Sequence, residues 1–281
     1  MHIQVSHIGD NMNTLKLGII GKGFVGSAVA NGFNTEHVEQ FIVDPKYTTN
    51  TIEQLVKETM TSIVFICLPT PQQDSHLDVD VYTVRIVLDE LVKLEYKGIV
   101  VIKSTITPDH LTKMKKDFPL KLVYNPEFLT EANSLQDFID PNMQVLGGKW
   151  KDCDVVEKAY NRHSKVRTVP TFKTDLITAS LIKYTINSWL ATKVTFFNEI
   201  AQLFQASGSN GSWDQFTDMI TRDPRIGDSH MQVPGPDGKL GFGGHCFPKD
   251  IAGLIYYAKG KTVNLEILNK VLKVNEKIRN K

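Results

Sequence analysis

The segment GFGGHCFPKD (241–250) places a cysteine after several glycines and directly before a possible helix start. A proline two residues after Cys246 suits the first turn of a helix. The thiol is therefore predicted to lie at a helix N-terminus, where unpaired N–H groups favour a thiolate. Gly243 and Gly244 allow a ligand to come close to the backbone. Asp250, one turn further on, is a candidate base or water-holding group. By environment alone, a reactive cysteine and a small buried hydrophobe are equally supported.

A second group of polar residues interrupts the apolar stretch 174–208. Lys183 and Asn187 are four residues apart, so on a helix their side chains share one face, one turn from each other. A buried ammonium needs an anionic partner, and lysine with asparagine forms a pair of donors suited to charge developing on an oxygen. A solvated lysine beside an incidental asparagine is the alternative for the same spacing.

Several polar residues follow predicted strands, at the sheet edge where α/β proteins bind ligands. The segments CLPTP (67–71), KSTITP (103–108) and YNPEFLTEANSLQDF (124–138) each begin within a strand or at its end. Because the carboxyl ends of parallel strands share one edge of a sheet, we expect these segments to converge on a site. The candidate residues are Pro69, Thr70, Ser104, Thr105, Glu127 and Glu131.

The stretch GIIGKGFVGSAVANGF contains Gly21, Gly23 and Gly26 in the spacing of a dinucleotide-binding loop. It follows one strand and opens a helix. Its glycines permit a tight turn, close approach of a pyrophosphate and close packing of the helix on the strand. Asp44 follows the second strand, where its carboxylate can accept hydrogen bonds from the adenosine ribose and repel a 2′-phosphate. Lys46 leaves NADP as an alternative, but the pattern favours NAD.

The elements that must position these residues alternate between short apolar runs and helical stretches up to about residue 170. Near-continuous apolar strands separated by helices predict a parallel sheet covered on both faces. We expect strands at 15–20, 39–43, 62–68, 98–104 and 120–125, helices near 24–33, 51–59, 80–95 and 108–117, and a further βαβ-like piece from MQVLGG (143–148) to KVRTVP (165–170).

The apolar stretch 174–208 has no proline and no internal glycine, which is typical of a helix buried in a domain or subunit interface. The expected fold class is α/β: a Rossmann-like doubly wound parallel sheet, followed by a long central helix and a small all-α dimerisation domain. The expected divisions are an N-terminal extension (1–14), a Rossmann domain that binds NAD (15–172), and the central helix with a helical dimerisation and catalytic domain (173–281).

Composition argues against several classes of function. The chain has 281 residues and a formal net charge of +1, which argues against broad binding to nucleic acid or an anionic membrane. No apolar run approaches the roughly 20 residues of a membrane span. Cys67, Cys153 and Cys246 are widely spaced, and no CxxC or metal-spaced histidine pair occurs. We therefore expect no disulfide framework, no metal site and a cytoplasmic location.

The motifs occur in a recognisable order between Leu15 and about Asn275. The dinucleotide loop and the aspartate after the second strand are followed by LPTP, STITP, NPEFLTE, KYTIN with NEIA, RIG and GFGGHCFPKD. Together they resemble the UDP-glucose/GDP-mannose dehydrogenase family. The resemblance implies NAD-dependent oxidation of the primary alcohol of a nucleotide sugar to the uronic acid, with two NADH per sugar, for polysaccharide biosynthesis. UDP-glucose, oxidised to UDP-glucuronate, is the expected substrate, with GDP-mannose and an N-acetylhexosamine nucleotide as alternatives.

The same resemblance implies a role for each catalytic residue. Cys246 forms a thiohemiacetal with the aldehyde and, after the second hydride transfer, a thioester. The lysine and asparagine of KYTIN stabilise the oxyanions. Asp250 and Thr105 position water or transfer protons, and Glu127 assists hydrolysis of the thioester. The implied catalytic set is Cys246, Lys183, Asn187, Asp250, Glu127 and Thr105.

The resemblance also implies binding residues and a homodimer. The cofactor-binding residues are Gly21, Gly23, Phe24, Val25, Gly26, Asp44, Lys46, Pro69, Thr70, Ser104, Glu131 and Lys249. The substrate-binding residues are Phe128, Leu129, Lys183, Asn187, Arg225, His230, Phe242, Gly243 and Gly244. Arg225 reaches the substrate across a dimer formed through helix 174–207.

Three features depart from the family pattern. We expect a short form that lacks the family's C-terminal domain, which closes over the nucleotide. His245 stands where a small serine is common, and His230 where an aromatic residue helps to hold the substrate. Two alternatives remain open. A β-hydroxyacid dehydrogenase has similar domains and length, needs no thiol and forms one NADH per substrate. A non-catalytic nucleotide-binding remnant that needs a partner chain would bind NAD without turnover.

Overall fold

A computed structural model describes residues 14–59, 62–72, 78–130, 133–244 and 246–280, and the chain forms two compact units. The first unit comprises Met1–Pro69, Thr83–Ser104 and Met114–Leu176, and the second comprises Thr70–Tyr82, Thr105–Lys113 and Ile177–Lys281. The second unit thus includes two segments that lie between strands along the chain. The expected division at residue 172 stays a prediction.

The first unit contains a seven-stranded sheet. Its strands are β1 (Leu15–Ile20), β2 (Val38–Val43), β3 (Ile63–Ile66), β4 (Ile99–Ile102), β5 (Lys121–Tyr124), β6 (Gln144–Gly148) and β7 (Thr171–Thr174). Their order is β2-β1-β3-β4-β5-β6-β7, and the pairs from β2 through β5 are all parallel. Strands β3 and β4 are buried at every position, as expected of strands covered on both faces.

The helices alternate with these strands and then dominate the rest of the chain, which confirms the predicted α/β class. They are α1 (Phe24–Gly32), α2 (Ile52–Thr59), α3 (Tyr82–Lys93), α4 (Pro108–Asp117), α5 (Ser134–Ile139), α6 (Trp150–His163), α7 (Leu176–Ala206), α8 (Trp213–Ile220), α9 (Phe247–Gly260) and α10 (Glu266–Arg279). An apolar cluster in the first unit joins the sheet to α1, α5 and α6. Within it the rings of Phe33, Phe65 and Tyr160 contact one another.

Two details of the sheet differ from the sequence prediction. Strand β6 runs antiparallel to β5, with Val123 opposite Gly148 and Tyr124 opposite Gly147, so the sheet is mostly rather than wholly parallel. The last strand begins at Thr171, after the KVRTVP segment that was expected to form it. Pro170 has no N–H to donate, and only its carbonyl joins the ladder, accepting from the amide of Gln144 at 3.0 Å.

The second unit is built on the 31-residue helix α7, which matches the predicted helix 174–208 to within two residues at each end. A small apolar cluster joins it to α9, α10 and the preceding glycine loop through Ala191, Phe242, Ile251, Ile255 and Val271. Among the described helices, none has the combined length and hydrophobicity that a membrane span requires.

The inserted segment Thr105–Lys113 is tied to the helices of the second unit by polar contacts. Ser180 on α7 donates its hydroxyl to the carbonyl of Ile106 at 2.7 Å. At the end of α9, the Lys261 ammonium lies 2.9 Å from the Asp109 carboxylate. The residues that follow strand β4 in the chain are therefore held against the helical unit.

Candidate functional site

The loop between β1 and α1 has the backbone shape that a dinucleotide site requires. Gly21 has φ of +90°, and a Cβ there would lie 2.7 Å from the carbonyl oxygen of Cys67. Gly26 is buried, and a Cβ there would clash with the carbonyl oxygen of Gly21. At Gly23 a Cβ would meet no atom within 4 Å. The backbone at the N-terminus of α1 is therefore open where a pyrophosphate can approach.

Asp44, directly after β2, links the first two strand ends. Its carboxylate accepts from the backbone N–H of Lys22 at 2.6 Å and from that of Lys46 at 2.9 Å. These two bonds fix its orientation beside the glycine loop, as recognition of a ribose diol requires. The ammonium groups of Lys22 and Lys46 lie 5.8 and 5.5 Å from the ring of Tyr47.

The other cofactor candidates of the first unit differ in exposure. Phe24 is exposed at the start of α1, whereas Val25 packs against the core. Pro69 is exposed, and Ser104 is buried with its hydroxyl donating to the carbonyl of Leu68 at 2.7 Å. Ser104 thus ties together the ends of two neighbouring strands.

The NPEFLTE segment turns sharply after β5. The carboxylate of Glu127 is almost buried and accepts from the N–H of Leu129 at 2.7 Å. Phe128 and Leu129 are partly buried, and Leu129 packs against the core. Glu131, expected to contact the cofactor, lies outside the described residues.

A buried polar network under this edge of the sheet was not anticipated from the sequence. The Lys103 ammonium donates to the side-chain oxygen of Asn125 at 3.0 Å, and the hydroxyl of Tyr160 donates to the same oxygen at 2.8 Å. The amide group of Asn125 donates to the carbonyl of Val145 at 2.9 Å. The local sequence signal was the position of Lys103 and Asn125 directly after consecutive strands. Their partner Tyr160 lies on α6, 35 residues after Asn125 in the chain, so no local pattern joins them.

The second unit brings together two of the predicted catalytic residues, Asn187 on α7 and Asp250 on α9. Asp250 is 1% exposed, and its carboxylate accepts from the Asn187 amide at 2.6 Å and from the Lys249 ammonium at 2.6 Å. Lys183 is buried one turn before Asn187 on the same helix. The prediction that the lysine and asparagine of KYTIN are buried polar residues is therefore correct, and the solvated alternative is not.

Cys246 lies at the start of α9, as the proline predicted. It occupies the N-cap position, Pro248 is in the first turn, and the N–H of Asp250 donates to the Cys246 carbonyl at 2.9 Å. Cys246 is partly exposed. The other two thiols are buried, and burial raises the pKa of Cys67 to about 12 and that of Cys153 to about 11. Cys246 therefore differs from both in position and in access to solvent.

Thr70 and Thr105 belong to the inserted segments of the second unit. The hydroxyl of Thr70 is buried and donates to the carbonyl of Thr105 at 2.8 Å. Thr105 itself is partly buried. The first threonine thus orients the backbone of the second.

In the described part of the glycine loop before Cys246, the large side chain of Phe242 points into the core, and Gly243 and Gly244 are more exposed. Phe242 is buried in the core of the second unit, with its ring edge-on to that of Phe247 at 6.1 Å. Gly243 is partly exposed, and Gly244 is exposed with φ of +73°. His245 lies outside the described residues. The ring of Phe242 therefore packs in the core rather than facing solvent.

Arg225 and His230 lie on the loop after α8. Arg225 has its side chain 86% exposed, and its guanidinium binds the carboxylate of Asp223. His230 packs against the ring of Phe247 at 5.7 Å and has φ of +63°. Burial lowers the pKa of His230, and the positive charge of Lys193 lowers it further. Lys193, missed by the sequence analysis, donates to two carbonyls of this loop at 3.1 Å.

No group of three or more histidine, cysteine, aspartate or glutamate side chains in the described part of the chain has an arrangement that could hold a metal ion.

Two family models match the chain. Residues 45–164 match the NAD-binding domain of the UDP-glucose/GDP-mannose dehydrogenase family, and residues 177–277 match the central domain of the same family. The first match confirms NAD as the cofactor.

Individual relatives give the same result. UDP-glucose 6-dehydrogenase of Rickettsia felis is 33% identical over 219 residues, which cover 76% of this chain and 47% of the relative. The chain spans about half the length of the curated relatives it matches. The structure of a UDP-glucose dehydrogenase from Pyrobaculum islandicum matches with a TM-score of 0.78 and 24% identity, covering 96% of this chain and 70% of that one. A 3-hydroxyisobutyrate dehydrogenase from Mycobacterium tuberculosis shares the fold, with a TM-score of 0.72, 15% identity, and coverage of 94% and 93%.

Proposed function

This chain belongs to the UDP-glucose/GDP-mannose dehydrogenase family, and on that premise we propose that it oxidises the primary alcohol of a nucleotide sugar to the carboxylate with NAD. The observation that carries the proposal is the start of α9. There Cys246 occupies the N-cap position of the helix, and the Asp250 carboxylate one turn later is held by Asn187. A thiol nucleophile with a buried carboxylate and amide donors is the set that oxidation through a thioester requires. UDP-glucose is the proposed substrate, by similarity to relatives that carry that name.

The residues of the first unit fit NAD, which accepts a hydride from the sugar carbon when bound. The open backbone at Gly23 leaves room for the pyrophosphate at the N-terminus of α1. The carboxylate of Asp44 retains acceptor sites for the ribose hydroxyls beyond the two bonds it makes to backbone amides. That carboxylate also disfavours a 2′-phosphate, which supports NAD over NADP.

Cys246 acts after the alcohol has become an aldehyde. Its thiolate attacks the carbonyl carbon, a C–S bond forms, and the electron pair of the C=O bond moves to oxygen. The ammonium of Lys183 and the amide of Asn187 would stabilise this oxyanion. Loss of a second hydride from the same carbon re-forms the C=O bond and leaves a thioester on Cys246.

Hydrolysis of the thioester completes the reaction. A water molecule attacks the carbonyl carbon, the C–S bond breaks, and the thiolate leaves while the sugar carbon becomes a carboxylate. Asp250 and Thr105 would position the water or carry its proton, and Glu127 would assist. The overall reaction consumes one water and forms two NADH.

The test is the number of NADH formed per substrate, run to completion on a panel of UDP- and GDP-sugars and of β-hydroxyacids. We expect two NADH per UDP-glucose, abolished by Cys246→Ala and unaffected by Cys153→Ala, because the second thiol is buried on α6. One NADH per substrate from a hydroxyacid would support the β-hydroxyacid dehydrogenase alternative. NAD binding without turnover of any sugar would indicate a chain that needs a partner.

We further propose that α7 forms a homodimer. Trp189, Phe196 and Leu203 are seven residues apart, so they lie along one face of the helix, and they are 59%, 55% and 65% exposed. Large apolar side chains in a row on one helix are typical of an interface. The exposed guanidinium of Arg225 supports the proposal that it reaches the substrate of a partner subunit.

The dimer is tested by measuring mass in solution with light scattering. We expect Phe196→Glu to shift the wild-type dimer towards the monomer, because a carboxylate in the apolar stripe must be desolvated on association. Ile267→Glu, at an apolar position on α10 that is 72% exposed, is the control and should not change the mass. A monomeric wild type would exclude this interface.

We also propose a cytoplasmic location, supported by three cysteines of which none is in a disulfide.

A further inference from the structure

Two buried asparagines hold the backbone of the glycine loop that leads to Cys246. The side-chain oxygen of Asn275 accepts from the N–H of Phe242 at 2.7 Å, and its amide group donates to the carbonyl of the same residue at 2.9 Å. The side-chain oxygen of Asn198 accepts from the N–H of Gly241 at 2.9 Å. Consecutive peptide groups of the loop are therefore bound by helices α10 and α7.

The chemistry of asparagine suits this contact. Its amide presents one acceptor and an NH₂ donor in a plane, so it can pair with both the N–H and the C=O of a single residue, as a neighbouring strand would. Among the described residues no strand pairs with the loop, and Phe242 is buried. Without Asn275, the N–H and C=O of Phe242 would lose these partners in the interior, and leaving buried polar groups unpaired costs free energy of folding.

The fit between α10 and the loop depends on two glycines. Gly241 has φ of +70°, and a Cβ on it would come within 3.0 Å of the Asn275 oxygen. A Cβ on Gly243 would come equally close to the guanidinium of Arg279, one turn further along α10. Arg279 is itself held by the carboxylate of Asp237 at 2.8 Å. One face of α10 thus contacts the loop at successive positions.

Phe242 packs against the start of α9. Its ring contacts the ring of Phe247, the residue next to Cys246, and shares a core cluster with Ile251 on α9 and Val271 on α10. A displacement of the Phe242 backbone therefore moves the packing on which the first turn of α9 rests.

We propose that Asn275 is a positioning residue for Cys246: by clamping the backbone of Phe242 it sets the path of the loop and the place of the sulfur at the N-terminus of α9. This inference rests on the proposed function, in which the cysteine is the nucleophile. Asn275 touches neither substrate nor cofactor in this scheme. It acts through the loop, with Asn198 as a secondary support.

The test compares Asn275→Asp with Asn269→Ala. Aspartate keeps the shape and the acceptor but places a second oxygen against the Phe242 carbonyl. Asn269 lies on the same helix, where its amide donates to the carbonyl of Leu265 in its own helix, and it serves as the control. The first readout is the rate at which iodoacetamide alkylates Cys246, located by peptide mass spectrometry. It needs no turnover, and the two other thiols are buried with raised pKa values.

We expect Asn275→Asp to alkylate about tenfold more slowly at Cys246, because the thiol is displaced from the helix N-terminus that activates it. Its kcat should fall by about the same factor with the Kd for NAD unchanged, since the cofactor contacts lie elsewhere. Asn275→Gln, which keeps both bonding groups on a longer side chain, should recover part of both rates. Unchanged alkylation and kcat in a folded Asn275→Asp would overturn the proposal.

If Asn275→Asp does not fold, the proposal can still be tested on the wild-type protein. Hydrogen exchange of the Phe242 amide should be as slow as that of core amides of α9, because its N–H is buried and bonded to Asn275. Exchange as fast as in the exposed 235–239 turn would refute the clamp. If no sugar nucleotide is oxidised but alkylation still depends on Asn275, the proposed function fails and the positioning role stands.

Discussion

Gly23 and Gly26 lie three residues apart in the dinucleotide loop, and the structure predicts opposite consequences for replacing each by alanine. At Gly26 a Cβ would lie 1.9 Å from the carbonyl oxygen of Gly21, whereas real contacts of this kind are at least 3.0 Å. Helix α1 would have to move by about 1 Å. It cannot do so freely, because at its other end Gly32 packs directly against the ring of Phe138.

The cost of Gly26→Ala follows from this geometry. Overpacking in a dense interior costs about 1–3 kcal/mol, and the upper end applies here because the clash is with backbone rather than with a flexible side chain. At roughly 2–4 °C per kcal/mol, Tm should fall by about 6–12 °C. Gly23→Ala meets no atom within 4 Å, and φ of −70° suits alanine, so Tm should change by less than about 2 °C.

Gly23→Ala, which should hardly change Tm, should strongly weaken the binding of NAD. The added methyl occupies the open backbone where the pyrophosphate must approach, so the Kd for NAD should rise by more than about tenfold. Thermal unfolding without NAD and calorimetric titration with NAD separate the two effects. A Gly23→Ala protein that binds NAD like the wild type would refute the placement of the pyrophosphate, and an unchanged Tm for Gly26→Ala would refute the packing argument.

Three further outcomes follow from buried polar groups. The pKa of His230 is lower in the folded chain than its ordinary value of 6.5, so between these two pKa values the unfolded chain binds more protons than the folded one. The free energy of unfolding therefore falls as the pH drops through 6.5. His230→Phe should weaken this dependence of Tm on pH. Asn125→Ala removes the shared acceptor of Lys103 and Tyr160 and should lower the free energy of unfolding by about 3 kcal/mol in urea, against about 1 kcal/mol for Tyr160→Phe. Lys193→Met removes the donor to two loop carbonyls, so trypsin should cleave the loop after α8 faster. It also removes an ammonium whose pKa is lowered by burial, and the loss of that desolvation cost should leave the urea midpoint little changed.

Local sequence determined the elements of this protein and the chemistry offered at their ends. Short runs rich in apolar residues between helical stretches predicted the strands β1 to β5. The pattern is complete in β3 and β4, which are buried at every position, because a strand covered on both faces is apolar throughout. The glycine spacing predicted the turn into α1, since only particular backbone angles and contact distances allow it. Pro248 predicted the start of α9 and hence the place of Cys246, because proline is confined to the first turn of a helix.

Tertiary structure alone decided which of these groups meet. Asn187 and Asp250 are 63 residues apart, and Asn275 and Phe242 are 33 apart, so no local pattern pairs them. The antiparallel direction of β6 likewise depends on how the chain returns to the sheet after β5. A side-chain hydrogen bond in the interior is made only where packing brings donor and acceptor within about 3 Å, and that distance is a property of the packed helices rather than of either residue.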